Sequence, residues 1–243
     1  MTQGFYLFFL LALLAEIIGT ISGFGSSILF VPLATIFIDF KLVLGITAVF
    51  HVFSNLSKIF LFQKGIDKKI ALKLGIPAIL FVVLGAYLTQ VIPLKEIELS
   101  MNLLILGLTI FLISGAGKKI KQTNFNLYSG GVISGFLAGL IGTGGAIRGI
   151  TLAAFGLEKD VFIATSALID LGVDSSRAVV YILQGYFSQE HLILIPFLIV
   201  IAIVGSYIGK RILVYIPEKY FHYVVLGVIA SISILQSIQY FRA

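Results

Sequence analysis

The chain of 243 residues is too apolar for a soluble protein, because 59% of its residues are hydrophobic, 12% are charged and its mean hydropathy is +1.10. A soluble domain carries about 25% charged residues, so this chain lacks the charges that a water-facing surface needs. The absence of cysteine excludes disulfides and thiolate metal sites, and the net charge of +6 indicates basic cytoplasmic loops rather than nucleic-acid binding.

Apolar runs bounded by charged residues, Gly and Pro predict ten helical segments. They are 4–22, 26–38, 42–62, 70–92 and 97–116 in the first half, and 127–141, 145–156, 161–183, 191–213 and 219–240 in the second. The segments 26–38, 127–141 and 145–156 are short for a membrane span, which needs about 20 residues. We therefore predict an all-α polytopic membrane protein, a single membrane domain over 1–243, whose first segment is retained rather than cleaved as a signal peptide.

The two halves, 1–117 and 127–243, are predicted to be structural repeats. An offset of 119 residues aligns Gly23 with Gly142, Thr47 with Ser166, Asn55 with Asp174, Lys58 with Arg177 and Pro77 with Pro196. The residue identity is weak, but residues of similar chemistry follow one another in the same order.

The charges of the loops predict that the repeats are inverted. The positive-inside rule places the basic loops 64–73 and 209–219, with Lys118, Lys119 and Lys121, in the cytoplasm, and the loops 93–98 and 185–191 outside. Basic and non-basic loops therefore exchange sides between the halves, as in inverted-topology repeats. Each repeat would hold one Gly-rich broken or re-entrant helix pair and three spanning helices, with both termini outside.

Two Gly-rich tips interrupt apolar segments at equivalent places in the halves, and irregular backbone survives in a membrane only where protein or water surrounds it. Each tip precedes a short helix, and a helix N-terminus attracts anions. The candidate substrate-binding residues of the tips are Gly23, Phe24, Gly25, Ser26, Ser27, Gly142, Thr143, Gly144 and Gly145. The alternative, close helix packing through small residues, suits Gly131, Gly135 and Gly139 better.

Arg148 is the most specific sign of an anionic substrate. It lies in the first turn after the second tip, where a cation beside a helix N-terminus is unfavourable unless an anion accompanies it. The alternative is a structural ion pair with Asp170 or Asp174, because buried charges are usually paired.

Two segments carry matched polar stripes, since residues at i, i+4 and i+7 share one helix face. The stripes are Asp170, Asp174 and Arg177 in one segment and His51, Asn55 and Lys58 in the other. Asn55 is a further candidate for substrate binding. The candidates for gating or coupling are Glu16, His51, Lys58, Asp170, Asp174 and Arg177.

These polar residues allow several interpretations. Lys58 and Arg177 either lie along the two access routes or reach the headgroups, and Arg177 suits a local i, i+3 pair with Asp174. The two aspartates are candidates to carry a coupling proton. Glu16 is either a proton site or the partner of a cation, and His51 either titrates near neutral pH or is a hydrogen-bonded core residue.

The sequence resembles the TauE/SafE family of sulfite and organosulfonate transporters over essentially the whole chain. The resemblance rests on EIIGTISGFGSSILFVPL at 16–33, on GFLAGLIGTGGAIRGITL at 135–152 and on the polar helices 47–67 and 164–185. It implies a secondary carrier of sulfite, sulfoacetate or related sulfonates in a prokaryotic inner membrane, without an ATP-binding domain. Two positions depart from the commoner family pattern, namely Arg148 and Thr151.

The function we predict is therefore transport of a small anion by alternating access, with proton coupling as an option. A passive anion channel or uniporter of the same fold is the main alternative; an intramembrane enzyme lacks its motifs, and a non-transporting scaffold leaves the polar stripes unexplained. The expected partners are a small anionic substrate and membrane lipid, with no nucleic acid, cofactor or metal, and a homodimer is left open.

Overall fold

The computed structural model describes residues 2–62, 65–114, 121–187 and 189–215. These residues form nine α-helices and one short 3₁₀ helix, joined by turns and loops, and contain no strand. The α-helices are α1 (Thr2–Ser22), α2 (Ser27–Ala34), α3 (Phe40–Leu61), α4 (Lys68–Leu88), α5 (Leu94–Ile113), α6 (Asn124–Ile141), α7 (Gly145–Ala153), α8 (Lys159–Leu183) and α9 (Leu194–Leu213). The 3₁₀ helix, Gln189–Ile193, precedes α9.

The first nine predicted segments are confirmed as helices, with ends that differ by a few residues. Helix α6, for example, starts at Asn124 rather than 127, because the Thr123 side chain accepts a hydrogen bond from the Asn126 N–H and caps the helix. The predicted segment 219–240 and the basic residues Lys64, Lys118 and Lys119 lie outside the described residues.

Three of the described helices are long and apolar enough to cross a membrane: α3, α4 and the stretch His191–Leu213 that contains α9. Helix α8 has 25 residues, but its buried charges lower its hydropathy. Large apolar side chains remain exposed on the outer helices, among them Leu72, Leu80, Phe197 and Val200. In water this surface would be unfavourable, so the apolar helices identify an integral membrane protein.

The helices pack in pairs around a central pair. Helix α3 packs against α8, α4 against α6, and α1 against α9; α3 also contacts α9, and α8 also contacts α4. At the offset of 119 residues the end of α1 falls on the end of α6, and the start of α3 falls on the start of α8. Corresponding helices therefore have corresponding neighbours, while the inverted arrangement of the two halves stays a prediction.

The packing role predicted for the three glycines of α6 is confirmed. A Cβ atom on Gly131, Gly135 or Gly139 would collide with a backbone carbonyl of α4, at Leu74, Ala78 or Val82 respectively. Helices α4 and α6 are therefore in backbone contact, and any side chain at these positions would push them apart.

Candidate functional site

Two helix breaks bring the Gly-rich tips together in the interior. Gly23 and Gly142 adopt left-handed backbone conformations, with φ of 68° and 79°, and such residues end helices. Helices α1 and α6 stop immediately before them, and α2 and α7 start four and three residues later. The Ser27 Oγ lies 3.3 Å from the Thr143 Oγ1, so the two tips are in direct contact.

A small polar cavity lies beside the tips. Its volume, counted as the space that the centre of a water molecule can occupy, is about 20 Å³. This is room for about one water molecule. Its lining consists of Gly25, Ser26, Ser27, His51, Ser54, Asn55, Lys58, Ala138, Gly142, Gly144, Gly145, Arg148, Asp170, Val173, Asp174 and Arg177. The cavity must widen before it can hold any ligand larger than a water molecule.

Arg148 presents one guanidinium nitrogen that has no hydrogen-bond partner. The residue is 4% exposed; its Nε donates to the Ser166 Oγ at 2.9 Å, and its Nη1 pairs with the Asp170 Oδ1. Its Nη2 is buried and donates to nothing in the described structure. A Cβ on Gly145 would lie 3.3 Å from this nitrogen, and one on Gly25 would lie 3.5 Å from it, so Nη2 points to the glycine-lined wall.

The charged pair of α8 reaches across to α3. The Arg177 Nε donates to the Asp174 Oδ1 at 2.7 Å, which is the predicted i, i+3 pair. The Asn55 Nδ2 donates to the other Asp174 oxygen, also at 2.7 Å. Asn55 and Asp174 are the residues that the repeat alignment places on each other. The Arg177 Nη1 also donates to the carbonyl of Gly142, and a cation is favourable at this C-terminal end of α6.

Glu16 forms the polar centre on the other side of the cavity. It is fully buried, and its Oε1 lies 2.9 Å from the Lys58 Nζ. Four hydroxyl groups donate to its carboxylate: those of Thr20, Ser26, Ser54 and Ser206. Of the two interpretations of Glu16, the structure therefore matches the partner of a cation.

His51 links the two charged groups. The Arg177 Nη2 lies 3.3 Å from the His51 Nδ1, and a guanidinium can only donate, so Nδ1 accepts and the ring is neutral. The His51 Nε2–H then donates to the Ser26 Oγ at 2.9 Å, and Ser26 donates to Glu16 at 2.6 Å. The imidazole is thus a hydrogen-bonded core residue in this conformation.

The structure brings most of the predicted site residues together. Thirteen of the seventeen line the cavity, and the other four contact the lining or a residue that is hydrogen-bonded to it. The Gly23 carbonyl accepts from Ser166, Thr143 contacts Ser27, and Glu16 contacts Ser26. The Phe24 ring packs on Gly149.

The alternative in which the long basic side chains reach the headgroups is wrong. Lys58 is 5% exposed and Arg177 is 1% exposed, and each pairs with a carboxylate inside the bundle. Their place along two access routes stays a prediction. The predicted ion pair of Arg148 is present, with Asp170 rather than with Asp174.

Sequence reasoning missed the hydroxyl residues that support the charges. Ser54, Ser166 and Ser206 donate to or accept from Glu16, Arg148 and Lys58. Ser54 had a usable signal, because it lies between His51 and Lys58 on the polar face of α3. Within the described residues, no three His, Asp or Glu side chains are placed to hold a metal ion.

A much larger cavity of about 550 Å³, here called the vestibule, lies behind the first tip. Its lining is Ile21, Ser22, Phe24, Ala153, Gly156, Leu157, Glu158, Lys159, Phe162, Ile163 and Leu213. Phe24 lines the vestibule and the next residue, Gly25, lines the polar cavity, so the two spaces adjoin at the first tip. The space near Thr143, at the second tip, is only about 10 Å³.

The family model described as Sulfite exporter TauE/SafE matches residues 8–235. This match covers nearly the whole chain, including both tips and the polar helices α3 and α8. No curated protein and no solved structure is significantly similar to the chain.

Proposed function

Because the chain belongs to the sulfite exporter TauE/SafE family, we propose that it is a secondary transporter of small sulfur-containing anions, such as sulfite, sulfoacetate or related organosulfonates, in a prokaryotic inner membrane. The observation that carries the proposal is the buried Arg148 Nη2, which has no partner and faces a glycine-lined wall. A buried guanidinium nitrogen without a partner is costly, and an oxyanion is the ligand that would satisfy it.

The surroundings of Arg148 suit an oxyanion in a second way. The N-terminal residues of α2 and α7 lie at the same cavity, with Ser26 preceding α2 and Gly144 preceding α7. The free N–H groups of a helix N-terminus attract negative charge. A sulfite or sulfonate group between the tips would thus meet one guanidinium nitrogen and backbone donors from both halves.

Alternating access is the transport mechanism that the helix arrangement supports. The hydrogen bond between Asn55 and Asp174 joins two equivalent residues, and a residue that contacts its own equivalent lies near the axis relating the halves. In inverted-repeat carriers the substrate binds near that axis, and one repeat rocks against the other. The polar cavity lies beside this hydrogen bond.

The decisive experiment measures anion uptake into proteoliposomes that contain the purified protein. We expect uptake of sulfite or a sulfonate, no uptake of taurine (which carries no net charge near neutral pH) and weak uptake of chloride, and we expect an imposed pH gradient to drive accumulation. Selective flux that never exceeds the concentration gradient, whatever the pH gradient, would indicate a channel or uniporter. No flux of any anion by folded protein would overturn the proposal.

The vestibule is the proposed entry to the site from the cytoplasmic side. It lies at the start of α8, next to the loop 64–73, since the Asp67 N–H donates to the Thr165 Oγ1 at 3.0 Å. Lys68 and Lys69, which begin α4 directly after Asp67, indicate the cytoplasmic side by the positive-inside rule. Phe24 would then be a thin barrier between the cytoplasmic vestibule and the anion site.

Phe24→Ala is expected to increase passive anion flux several-fold, because it removes a ring that lines the vestibule at the tip where the vestibule adjoins the polar cavity. Uptake of sulfite without a pH gradient is the measurement. Phe8→Ala is the matched control, since Phe8 is as buried as Phe24 and belongs to the same apolar core, but lines neither the vestibule nor the polar cavity; it loses similar packing and should leave passive flux unchanged. Equal flux in Phe24→Ala and the wild type would contradict a barrier role.

A further inference from the structure

The charges around the polar cavity balance one to one. Among the described residues, the three cations Lys58, Arg148 and Arg177 pair with the three carboxylates of Glu16, Asp170 and Asp174. His51 is neutral, because its Nδ1 accepts from Arg177. Helix α6 contributes no titratable group to the lining and α4 contributes no residue to it. The site is therefore electrically neutral, although it is the proposed binding site of an anion.

An anion that enters a neutral, buried site leaves an uncompensated negative charge, which is strongly unfavourable in a low-dielectric interior. The charge is compensated if one carboxylate takes up a proton from the water on the side of entry. On this basis, which rests on the proposed function, we propose that Asp170 is that carboxylate and that one proton accompanies each monovalent anion.

The hydrogen bonds of the three carboxylates distinguish them. Glu16 accepts from four hydroxyls and pairs with Lys58. Asp174 accepts one hydrogen bond at each oxygen, from Arg177 and Asn55. Asp170 has its one ion pair at Oδ1, with Arg148, and its side chain, at 13% exposed, is the least buried of the three. Protonation of Asp170 therefore disrupts the fewest contacts.

The position of Asp170 allows its proton to stabilise the bound anion. A Cβ on Gly25 would lie 3.5 Å from the Arg148 Nη2 and 3.9 Å from the Asp170 Oδ2, so both atoms face the same small space. An oxyanion bound to Nη2 would be close to Oδ2, where two anionic oxygens repel each other. A protonated Oδ2 instead donates a hydrogen bond to the anion. The anion then replaces Asp170 as the charge partner of Arg148.

The test counts the protons taken up when an anion binds. Titration calorimetry of the purified protein, in two buffers with different ionisation enthalpies, gives the number of protons for methanesulfonate and for sulfite. Methanesulfonate keeps one negative charge at every working pH, so its proton count belongs to the protein. Sulfite can itself gain or lose a proton when it binds. This contribution is common to the wild type and Asp170→Asn, so it cancels in the difference between their proton counts. Glu96→Gln, on the exposed start of α5, is the control variant.

We expect the wild type and Glu96→Gln to take up about one proton more per bound anion than Asp170→Asn. Binding to the wild type without proton uptake from methanesulfonate would overturn the inference and leave anion transport standing, and this result does not require the variant to fold. An equal proton count in Asp170→Asn and the wild type would also overturn it, since another group would carry the proton. If neither anion binds the wild type, the proposed function fails, and the inference fails with it.

Discussion

Arg148→Gln is expected to abolish measurable uptake of sulfite while the protein remains folded. The substitution removes the unpartnered Nη2 and the positive charge that faces the tips. Truncating one partner of a buried, charged hydrogen bond costs about 2–5 kcal/mol, which corresponds to roughly 30- to 4,000-fold in affinity. The initial uptake rate at low sulfite concentration is the measurement.

Two further variants separate the loss of the binding group from damage to the fold. Arg148→Gln leaves Asp170 without its cation, whereas Arg148→Gln combined with Asp170→Asn keeps the cavity neutral; the double variant should be stable and still inactive. Arg211→Gln is the matched control, since Arg211 is exposed near the end of α9 and bonds to Tyr207. Sulfite uptake by folded Arg148→Gln at the wild-type rate would show that the anion binds elsewhere.

Glu16→Ala is expected to cause the largest loss of stability among single substitutions at the site. It leaves the Lys58 ammonium, 5% exposed, without its counter-ion and removes the acceptor of four hydroxyl groups. Breaking a buried ion pair by removing one partner costs about 3–5 kcal/mol. The melting temperature of the purified protein in detergent should fall far more than in Glu96→Gln.

The double variant Glu16→Gln with Lys58→Met tests the reason for that loss. A buried ion pair can often be replaced by neutral residues of similar shape at little cost in stability, and the Gln oxygen can still accept from the serines. We therefore expect the double variant to melt close to the wild type. If the double variant melts as low as Glu16→Ala, the unpaired charge is not the cause.

The sequence predicted the parts of the site that follow from periodicity. The spacing of Asp170, Asp174 and Arg177 implies one helix face in any α-helix, and the break at each tip follows from the glycines. The pairing of Arg148 with Asp170 was one of two alternatives, and distance along the chain could not choose between Asp170 and Asp174. Which aspartate pairs with Arg148 depends on the position of α7 along the axis of α8, and only the packing of the whole bundle sets that position.

Neither the partner of Lys58 nor the supporting hydroxyls could be predicted from the sequence, for a related reason. A serine in an apolar helix can bond to a carbonyl of its own helix or to a distant side chain. Ser176 does the former, with the Gly172 carbonyl, and Ser206 does the latter, with Glu16. Nothing in the residues near either serine distinguishes the two cases; only the contact of α9 with α1 does.

The backbone contact between α4 and α6 also constrains how the gene can change. Every single-base change in a glycine codon that alters the residue adds a side chain, and a Cβ on Gly131, Gly135 or Gly139 would strike a carbonyl of α4. No single-base substitution at these three glycines avoids the collision. No substitution in α4 can compensate for it, because the atom that the Cβ strikes belongs to the backbone. Neutral drift in this pair of helices must therefore collect on their outer faces, at residues such as Leu72 and Leu80 of α4 and Tyr128 and Ile133 of α6.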